Sequence, residues 1–259
     1  MITVENTLKS RAEQKQGSLI GYFPAGYPSV DQSIEALIAM ANNGCSVLEV
    51  GVPYSDPVMD GPVIQRATEA ALTGGFKLRK LFDVIEGVRK QSDVPILVMS
   101  YWNPIIRFGL EKFAQRLKET GAQGLITPDL IPDEAADWIE LSNRLELERV
   151  FLAAPSSSDE RVARVVASSR GFVYAVSTMG ITGERAKLDE LARSVVGRVR
   201  HAGSIPTCVG VGVSSADQVR EVNSYADGAI VGTAFIKAYE DGGLDALVDK
   251  VRSLAQGLG

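Results

Sequence analysis

The sequence predicts an α/β fold of the (β/α)8 type, a TIM barrel with an extra helix at its N-terminus. Eight short, apolar, β-rich runs recur along the 259 residues, and a helical pattern follows each of them. Continuous apolar runs suit parallel strands that are covered on both faces. Eightfold alternation over a chain of this length is typical of a barrel. The competing fold is an open doubly wound sheet, but no GxGxxG turn follows the first strand.

The predicted strands are rich in β-branched and aromatic residues and cover 18–26, 46–51, 95–101, 124–129, 149–154, 172–177, 206–212 and 228–232. The predicted helices repeat apolar residues three and four positions apart, often after an N-terminal Ser or Asp. They cover 30–44, 78–91, 110–121, 133–147, 159–169, 188–200, 215–225 and a segment near 244–256. Segment 2–15 is predicted to be a helix that closes the bottom of the barrel. We expect a single barrel domain over 1–259.

Composition narrows the classes of function. The net charge is −5 and no basic run is present, so nucleic acid is not an expected partner. No apolar run reaches membrane-spanning length, and the polar N-terminus does not resemble a secretion signal. The two cysteines, Cys45 and Cys208, have no metal-ligand spacing and are expected to be buried free thiols. We therefore expect a cytoplasmic protein without a metal site.

Two connections between predicted strands are unusually long. About 43 residues separate the second and third strands, and about 28 separate the sixth and seventh. The excess follows the C-terminal ends of the strands, which form the catalytic face of such barrels. Segments 52–62 and 178–187 are therefore the expected places for binding loops or a lid.

Glycines after the last two predicted strands indicate a phosphate site. The seventh strand runs into Gly210 and Gly212, and the eighth ends at Gly232, followed by Thr233. Phosphate sites in these barrels commonly use the loops after strands seven and eight and a helix N-terminus. Thr233 adds a hydroxyl, and Gly183 on the sixth loop is placed to close over the ligand. The predicted substrate is a small phosphorylated molecule.

Missing residue types exclude several reactions on such a substrate. The one histidine, His201, lies at a helix end away from the catalytic face. A zinc-dependent aldolase needs several histidine ligands, and triosephosphate-type isomerisation pairs a glutamate with a histidine. A Schiff-base aldolase needs a lysine on a strand inside the barrel, and no predicted strand contains one.

Two carboxylates remain as candidate catalytic groups. Strand alternation places Val47, Glu49 and Gly51 on one buried face. An apolar setting raises the pKa of Glu49 toward the range that suits general acid–base catalysis. Asp60 lies on the hydrophilic loop after that strand and is expected to stay ionised. The alternative is a structural glutamate paired with an arginine, together with a turn-forming aspartate.

Apolar and aromatic residues near the strand ends are candidates for a flat pocket beside the phosphate site. They are Tyr22, Ile64, Met99, Tyr101, Ile126 and Tyr174.

Four segments identify a family resemblance. Residues 48–65, LEVGVPYSDPVMDGPVIQ, resemble the signature of the tryptophan synthase alpha subunit family. The segments PAGYP (24–28), TMGITG (178–183) and AIVGTAFIK (229–237) are similar to the same family, and the likeness covers essentially the whole chain. The resemblance implies a barrel that cleaves indole-3-glycerol phosphate into indole and glyceraldehyde 3-phosphate.

Roles for individual residues follow from the resemblance. Glu49 is implied to protonate C3 of the indole ring and to help deprotonate the glycerol hydroxyl, and Asp60 to bind the ring N–H. Tyr22 and Tyr174 correspond to residues near the indole, and Thr182 to a lid threonine that bonds Asp60. The implied phosphate contacts are Gly183, Gly212, Gly232 and Thr233.

The resemblance also implies a partner. This is the beta subunit, a pyridoxal-phosphate enzyme, in an alpha2–beta2 heterotetramer, with Asp56 at the contact surface and no cofactor in the alpha chain itself. One departure is Thr178-Met179, where many members have arginine and serine, so the lid behaviour of the family is not transferred. Two alternatives stay open: another phosphate-binding barrel isomerase or synthase, and an inactive barrel that mainly activates a beta subunit.

Overall fold

The computed structural model describes residues 2–176 and 185–259, without the side chains of 185–187. In this part of the chain one sheet contains nine strands. They are β1 (Leu19–Pro24), β2 (Val47–Gly51), β3 (Ile96–Met99), β4 (Gly124–Ile126), β5 (Glu148–Val150), β6 (Leu152–Ala153), β7 (Val173–Val176), β8 (Thr207–Gly210) and β9 (Gly228–Val231).

The sheet is a closed parallel barrel. Its neighbours follow the order β5-β4-β3-β2-β1-β9-β8-β7-β6, and every named pair is parallel. Only Phe151 separates β5 from β6, so the chain itself joins the two ends of the order. The fifth predicted strand is thus split in two, and the barrel prediction is confirmed.

Eleven helices accompany the sheet in the described residues. They are α1 (Val4–Glu13), α2 (Val30–Asn42), α3 (Pro62–Thr73), α4 (Lys80–Arg89), α5 (Trp102–Phe108), α6 (Leu110–Thr120), α7 (Ala136–Leu145), α8 (Asp159–Ser168), α9 (Arg185–Ala202), α10 (Ala216–Asn223) and α11 (Thr233–Ala255). A 3-10 turn, Pro132–Glu134, precedes α7. None of these helices has both the length and the apolar character that crossing a membrane requires.

The sequence reading missed α3 and α5. Helix α3 begins at Pro62, where the fixed φ of proline suits a first helical position, and it occupies much of the long second connection. Helix α5 is only seven residues long. The C-terminal helix is also longer than predicted, because α11 starts at Thr233 and continues past a non-helical step at Gly242 and Gly243.

Inside the barrel, side chains from successive strands form layers. The lower layer is apolar and buried, and it consists of Ile20, Val47, Leu97, Ile126, Val150, Phe172, Cys208 and Ile230. Two positions further along their strands, Tyr22, Glu49, Met99 and Tyr174 line a cavity at the C-terminal end. The barrel therefore sets the candidate site on an apolar floor.

Helix α1 closes the opposite end, as predicted. Val4 and Leu8 pack into the interior cluster. The buried carboxylate of Glu148 accepts hydrogen bonds from the backbone N–H groups of Val4 at 2.8 Å and Glu5 at 2.9 Å. These are N–H groups of the first helical turn, which have no partner within the helix, so Glu148 anchors the helix start to the barrel.

Candidate active site

A cavity of about 430 Å³ lies at the C-terminal mouth of the barrel, a size typical of small-molecule sites. It brings together ten of the residues predicted from the sequence, one of which is Gly210. The other nine are Tyr22, Glu49, Asp60, Ile64, Met99, Tyr174, Gly212, Gly232 and Thr233.

Glu49 lies on β2, next to Tyr22 of β1 and Leu97 of β3 in the strand register. Its side chain is 1% exposed, and neither carboxylate oxygen has a hydrogen-bond partner among the described residues. Burial raises the pKa of Glu49 to about 8, as the sequence predicted in direction. An unpaired buried carboxyl group is costly when ionised, so it is mainly protonated near neutral pH and can donate a proton.

Asp60 differs from expectation. The sequence placed it on a hydrophilic loop, but the loop after β2 folds over the mouth and leaves Asp60 only 8% exposed. Burial raises the pKa of Asp60 to about 6, and the Tyr101 hydroxyl acts in the opposite direction. The carboxylate is therefore still mainly ionised at pH 7. The pKa of Asp60 is about two pH units below that of Glu49. Paired carboxyl groups with separated pKa values are suited to different roles in acid–base chemistry.

Gln65 holds the loop that carries Asp60, and sequence reasoning missed it. Its side-chain amide donates to the carbonyl oxygen of Asp60 at 2.9 Å and to that of Pro57 at 3.4 Å. The backbone N–H of Asp60 also donates to the Pro57 carbonyl at 3.0 Å. The loop conformation is thus fixed from the first turn of α3.

Tyr22 lies between Glu49, its neighbour in the strand register, and the glycine-rich end of the cavity. Its hydroxyl occupies the position that a side chain on Gly51 would need. Its ring δ1 carbon lies 3.0 Å from the place where a β-carbon on Gly232 would stand. Both glycines are therefore needed to seat this ring against the cavity wall.

The predicted phosphate cradle is centred on the start of α11. Gly232 is the N-cap of this helix, and no side chain caps its backbone. At the neighbouring α10, by contrast, the Gln218 side chain accepts from the N–H groups of Ser214 at 2.7 Å and Ser215 at 3.2 Å. Gly212 has a φ of 68°, which favours glycine. Helix α11 is therefore the helix start that is available to an anion.

Lys237 was not anticipated. It lies four residues after Thr233 on α11, which places both side chains on one helix face. It is the one Lys or Arg among the described residues that line the cavity, and it forms no ion pair within the described part of the chain. The i, i+4 spacing from Thr233 was the available signal.

Two pocket predictions lie behind the cavity rather than on its wall. Ile126 belongs to the apolar floor inside the barrel. Tyr101 is buried beside Asp60, and its hydroxyl accepts a hydrogen bond from the backbone of Met59. Met59, Val213 and Ile230 line the cavity instead and were missed.

The remaining predicted positions are at the edge of the site or beyond it. Asp56 is exposed on the loop after β2, where its carboxylate accepts from the Ser55 hydroxyl at 2.6 Å. Thr178, Met179, Thr182 and Gly183 lie outside the described residues. Within the described residues, no group of three or more His, Cys, Asp and Glu side chains is placed to hold a metal ion.

Comparison with known proteins gives consistent results. The family described as "Tryptophan synthase alpha chain" matches residues 8–257. A curated tryptophan synthase alpha chain from Leifsonia xyli is 53% identical over 257 residues, covering 99% of this chain and 98% of the relative. The solved tryptophan synthase from M. tuberculosis in its aminoacrylate-bound form has a TM-score of 0.92 at 44% identity, with 99% of both chains covered. The Pyrococcus furiosus tryptophan synthase complex has a TM-score of 0.84 at 33% identity, covering 92% of this chain and 98% of the other.

Proposed function

The chain belongs to the tryptophan synthase alpha chain family, and we propose that Glu49 and Asp60 carry out its lyase reaction. In that reaction indole-3-glycerol phosphate is cleaved to indole and glyceraldehyde 3-phosphate. The carbon–carbon bond that breaks joins C3 of the indole ring to the first carbon of the glycerol chain. Neither a lysine nor a metal is needed, because protonation of the ring makes the substrate its own electron sink.

In the first step the neutral carboxyl group of Glu49 donates its proton to C3. Support comes from the unpaired, buried position of this group, whose pKa near 8 keeps it protonated at neutral pH. The ring then carries a positive charge that is shared with its nitrogen. Asp60, ionised in the same cavity, accepts the ring N–H and stabilises that charge.

In the second step the Glu49 carboxylate accepts the proton of the hydroxyl group on the first glycerol carbon. That carbon becomes the aldehyde carbon, the C3–carbon bond breaks, and its electron pair neutralises the ring. Glu49 is protonated again at the end, so the cycle is balanced in protons and electrons. A single side chain that acts as acid and then as base needs a pKa near the working pH, which burial provides.

The cavity can orient the substrate between its two ends. The indole lies between Tyr22, Met99 and Tyr174, over the apolar floor of the barrel. The phosphate lies at the N-terminus of α11, with Lys237 as the nearby cation. Tyr22 contacts both regions, because it packs between Gly51 and Gly232.

The observation that carries this assignment is the unpaired Glu49 carboxyl group in the cavity. The test is indole release from indole-3-glycerol phosphate by the purified chain, compared with Glu49→Gln and Asp60→Asn. Both variants are expected to lose about 10²-fold to 10⁴-fold in kcat, while glycerol 3-phosphate still binds. Retention of most of the rate in either variant would remove the role assigned to that residue.

The same assay distinguishes this function from the two alternatives, an inactive barrel and another phosphate-binding isomerase or synthase. Slow indole release by the chain alone, rising sharply when beta subunit is added, is expected. An inactive barrel would release no indole alone but would still activate the beta subunit. An isomerase or another synthase would convert a phosphorylated sugar derivative without forming indole.

The partner of the chain is the beta subunit of tryptophan synthase, as in the solved complexes that it resembles. We propose that this subunit docks beside the cavity mouth. The large exposed apolar side chains Val58, Ile106 and Ile131 follow β2, β3 and β4, which are neighbours in the sheet. Val58 is 77% exposed, and Asp56 lies two residues before it.

This docking surface can be tested without touching the cavity. Val58→Asp and Ile131→Asp are expected to weaken binding of beta subunit and to lower its activation of indole release. Leu244→Asp is the control, because Leu244 is an exposed apolar residue on α11. Equal effects of all three substitutions would argue against the proposed surface.

The single domain over 1–259 and the cytoplasmic location also belong to this proposal. The one closed sheet supports the first, since its strands come from most of the chain length. The buried free thiols Cys45 and Cys208 support the second, since unpaired cysteines suit a reducing compartment.

A further inference from the structure

Tyr101 is buried directly behind the loop that carries Asp60. It follows β3, its side chain is 5% exposed, and it does not line the cavity. Its hydroxyl oxygen accepts a hydrogen bond from the backbone N–H of Met59 at 2.9 Å. Met59 is the residue before Asp60, so this bond fixes the backbone from which the Asp60 side chain leaves.

The hydroxyl of Tyr101 can also donate a hydrogen bond. Because its oxygen accepts from Met59, its own proton points to another acceptor. A hydrogen bond from Tyr101 lowers the pKa of Asp60, against the effect of burial, so the Asp60 carboxyl group is the expected acceptor.

The ring of Tyr101 is itself held in place. The Tyr54 ring packs on it with the ring centres 5.3 Å apart. The Tyr54 hydroxyl accepts from the side-chain amide of Asn103 at 3.0 Å. The Tyr101 side chain is therefore held on two sides, by the Tyr54 ring and by the Met59 backbone.

We propose that Tyr101 is a positioning residue for the lyase reaction, which holds the Met59 backbone and aims the Asp60 carboxylate at the ring nitrogen of the substrate. This inference rests on the role proposed above for Asp60. Tyr101 does not line the cavity, so in this proposal it acts only through Met59 and Asp60.

Other charged or titratable groups face the same space. Tyr22 and Tyr174 interact electrostatically with Asp60, and Glu49 and Lys237 line the same cavity. Asp129 interacts with Tyr101 from the loop after β4. A test that uses pH must therefore change the Tyr101 hydroxyl alone and leave these groups in place.

Tyr101→Phe removes only the hydroxyl, and Tyr239→Phe is the matched control, since Tyr239 packs on Phe23 and does not line the cavity. Tyr101→Phe is expected to lower kcat for indole release about tenfold to hundredfold, as for loss of a hydrogen bond to a charged group. The acid limb of its pH–rate profile is expected to move to higher pH. Tyr239→Phe is expected to leave the rate and the profile of the isolated chain nearly unchanged. Unaltered glycerol 3-phosphate binding would show that Tyr101→Phe is folded.

The double variant Asp60→Asn/Tyr101→Phe separates positioning from a general structural effect. If Tyr101 acts through Asp60, the double variant is no slower than Asp60→Asn alone. An additional tenfold loss in the double variant, or an acid limb that does not move in Tyr101→Phe, would overturn the inference. If Asp60→Asn alone keeps the rate, the proposed function fails instead, and that result is obtained without any change at Tyr101.

Discussion

Gly210 lies against the hydroxyl of Tyr174, which stands 2.6 Å from the position that a β-carbon on residue 210 would take. These residues are on neighbouring strands, with Val176 of β7 opposite Gly210 of β8. The tyrosine can therefore face the end of the cavity that we propose for the indole only because residue 210 has no side chain.

Gly210→Ala is expected to displace Tyr174 and lower kcat/KM for indole-3-glycerol phosphate about tenfold. Adding Tyr174→Phe removes the closest atom and is expected to recover part of this loss, as measured by steady-state indole release. The control is Gly197→Ala on α9, where a β-carbon meets nothing within 4 Å. Full activity in Gly210→Ala would mean that the hydroxyl position is not constrained as described.

The pH dependence of kcat/KM is expected to be bell-shaped. Asp60 must be ionised, so the rate falls as the pH drops below about 6. Glu49 must begin protonated, so the rate also falls as the pH rises above about 8. Measuring kcat/KM across this range tests both roles, since Asp60→Asn is expected to lose the acid limb and keep the alkaline one. A rate that still rises above pH 9 would contradict the role of Glu49 as the acid.

Glu49→Gln is expected to stabilise the fold at alkaline pH. Burial raises the pKa of Glu49 from an ordinary value near 4.5 to about 8, so the folded state binds more protons than the unfolded state between these values. Its contribution to the free energy of unfolding therefore falls as the pH rises, by up to about 1.4 kcal/mol per pH unit. Denaturant unfolding at pH 4 and pH 8.5 checks this.

The stabilisation should be large at the higher pH and absent at the lower. Glu69→Gln on the exposed side of α3 is the control and is expected to show no such difference. If the free energy of unfolding of Glu49→Gln differed from that of the wild-type chain by the same amount at both pH values, Glu49 would be an ordinary carboxylate.

Lys237→Met is expected to weaken glycerol 3-phosphate binding roughly threefold to tenfold at low ionic strength, because one exposed cation near a dianion is partly screened. Titration calorimetry at low and high salt measures the effect, which should shrink at high salt. Lys250→Met is the matched control, since Lys250 donates to the Ser214 carbonyl at 3.2 Å but does not line the cavity. Equal losses in the two variants would remove the assigned role of Lys237.

The parts of the site that follow from backbone periodicity could be predicted from the sequence. Alternation along β2 fixes the direction of Glu49 once the strand is recognised, and the barrel order places Gly212, Gly232 and Thr233 at one mouth. Helix α3 was missed, although Pro62 at its first position is a signal for the start of a helix.

The parts that depend on tertiary distance could not be predicted. The composition of the 52–62 loop indicates exposure, yet its path over the mouth buries Asp60. The contact from Tyr101 to the Met59 backbone joins residues 42 positions apart, and no local pattern encodes it. For the same reason Tyr101 and Ile126 both looked like pocket residues, although neither lines the cavity.

The most direct measurement is the titration of the Glu49 carboxyl group itself. Infrared difference spectra between the wild-type chain and Glu49→Gln, recorded with glycerol 3-phosphate bound, isolate its protonated C=O stretch. The band is expected to persist at neutral pH and to disappear with a midpoint near pH 8. Loss of the band with an ordinary midpoint near pH 4.5 would contradict a neutral acid in the barrel mouth.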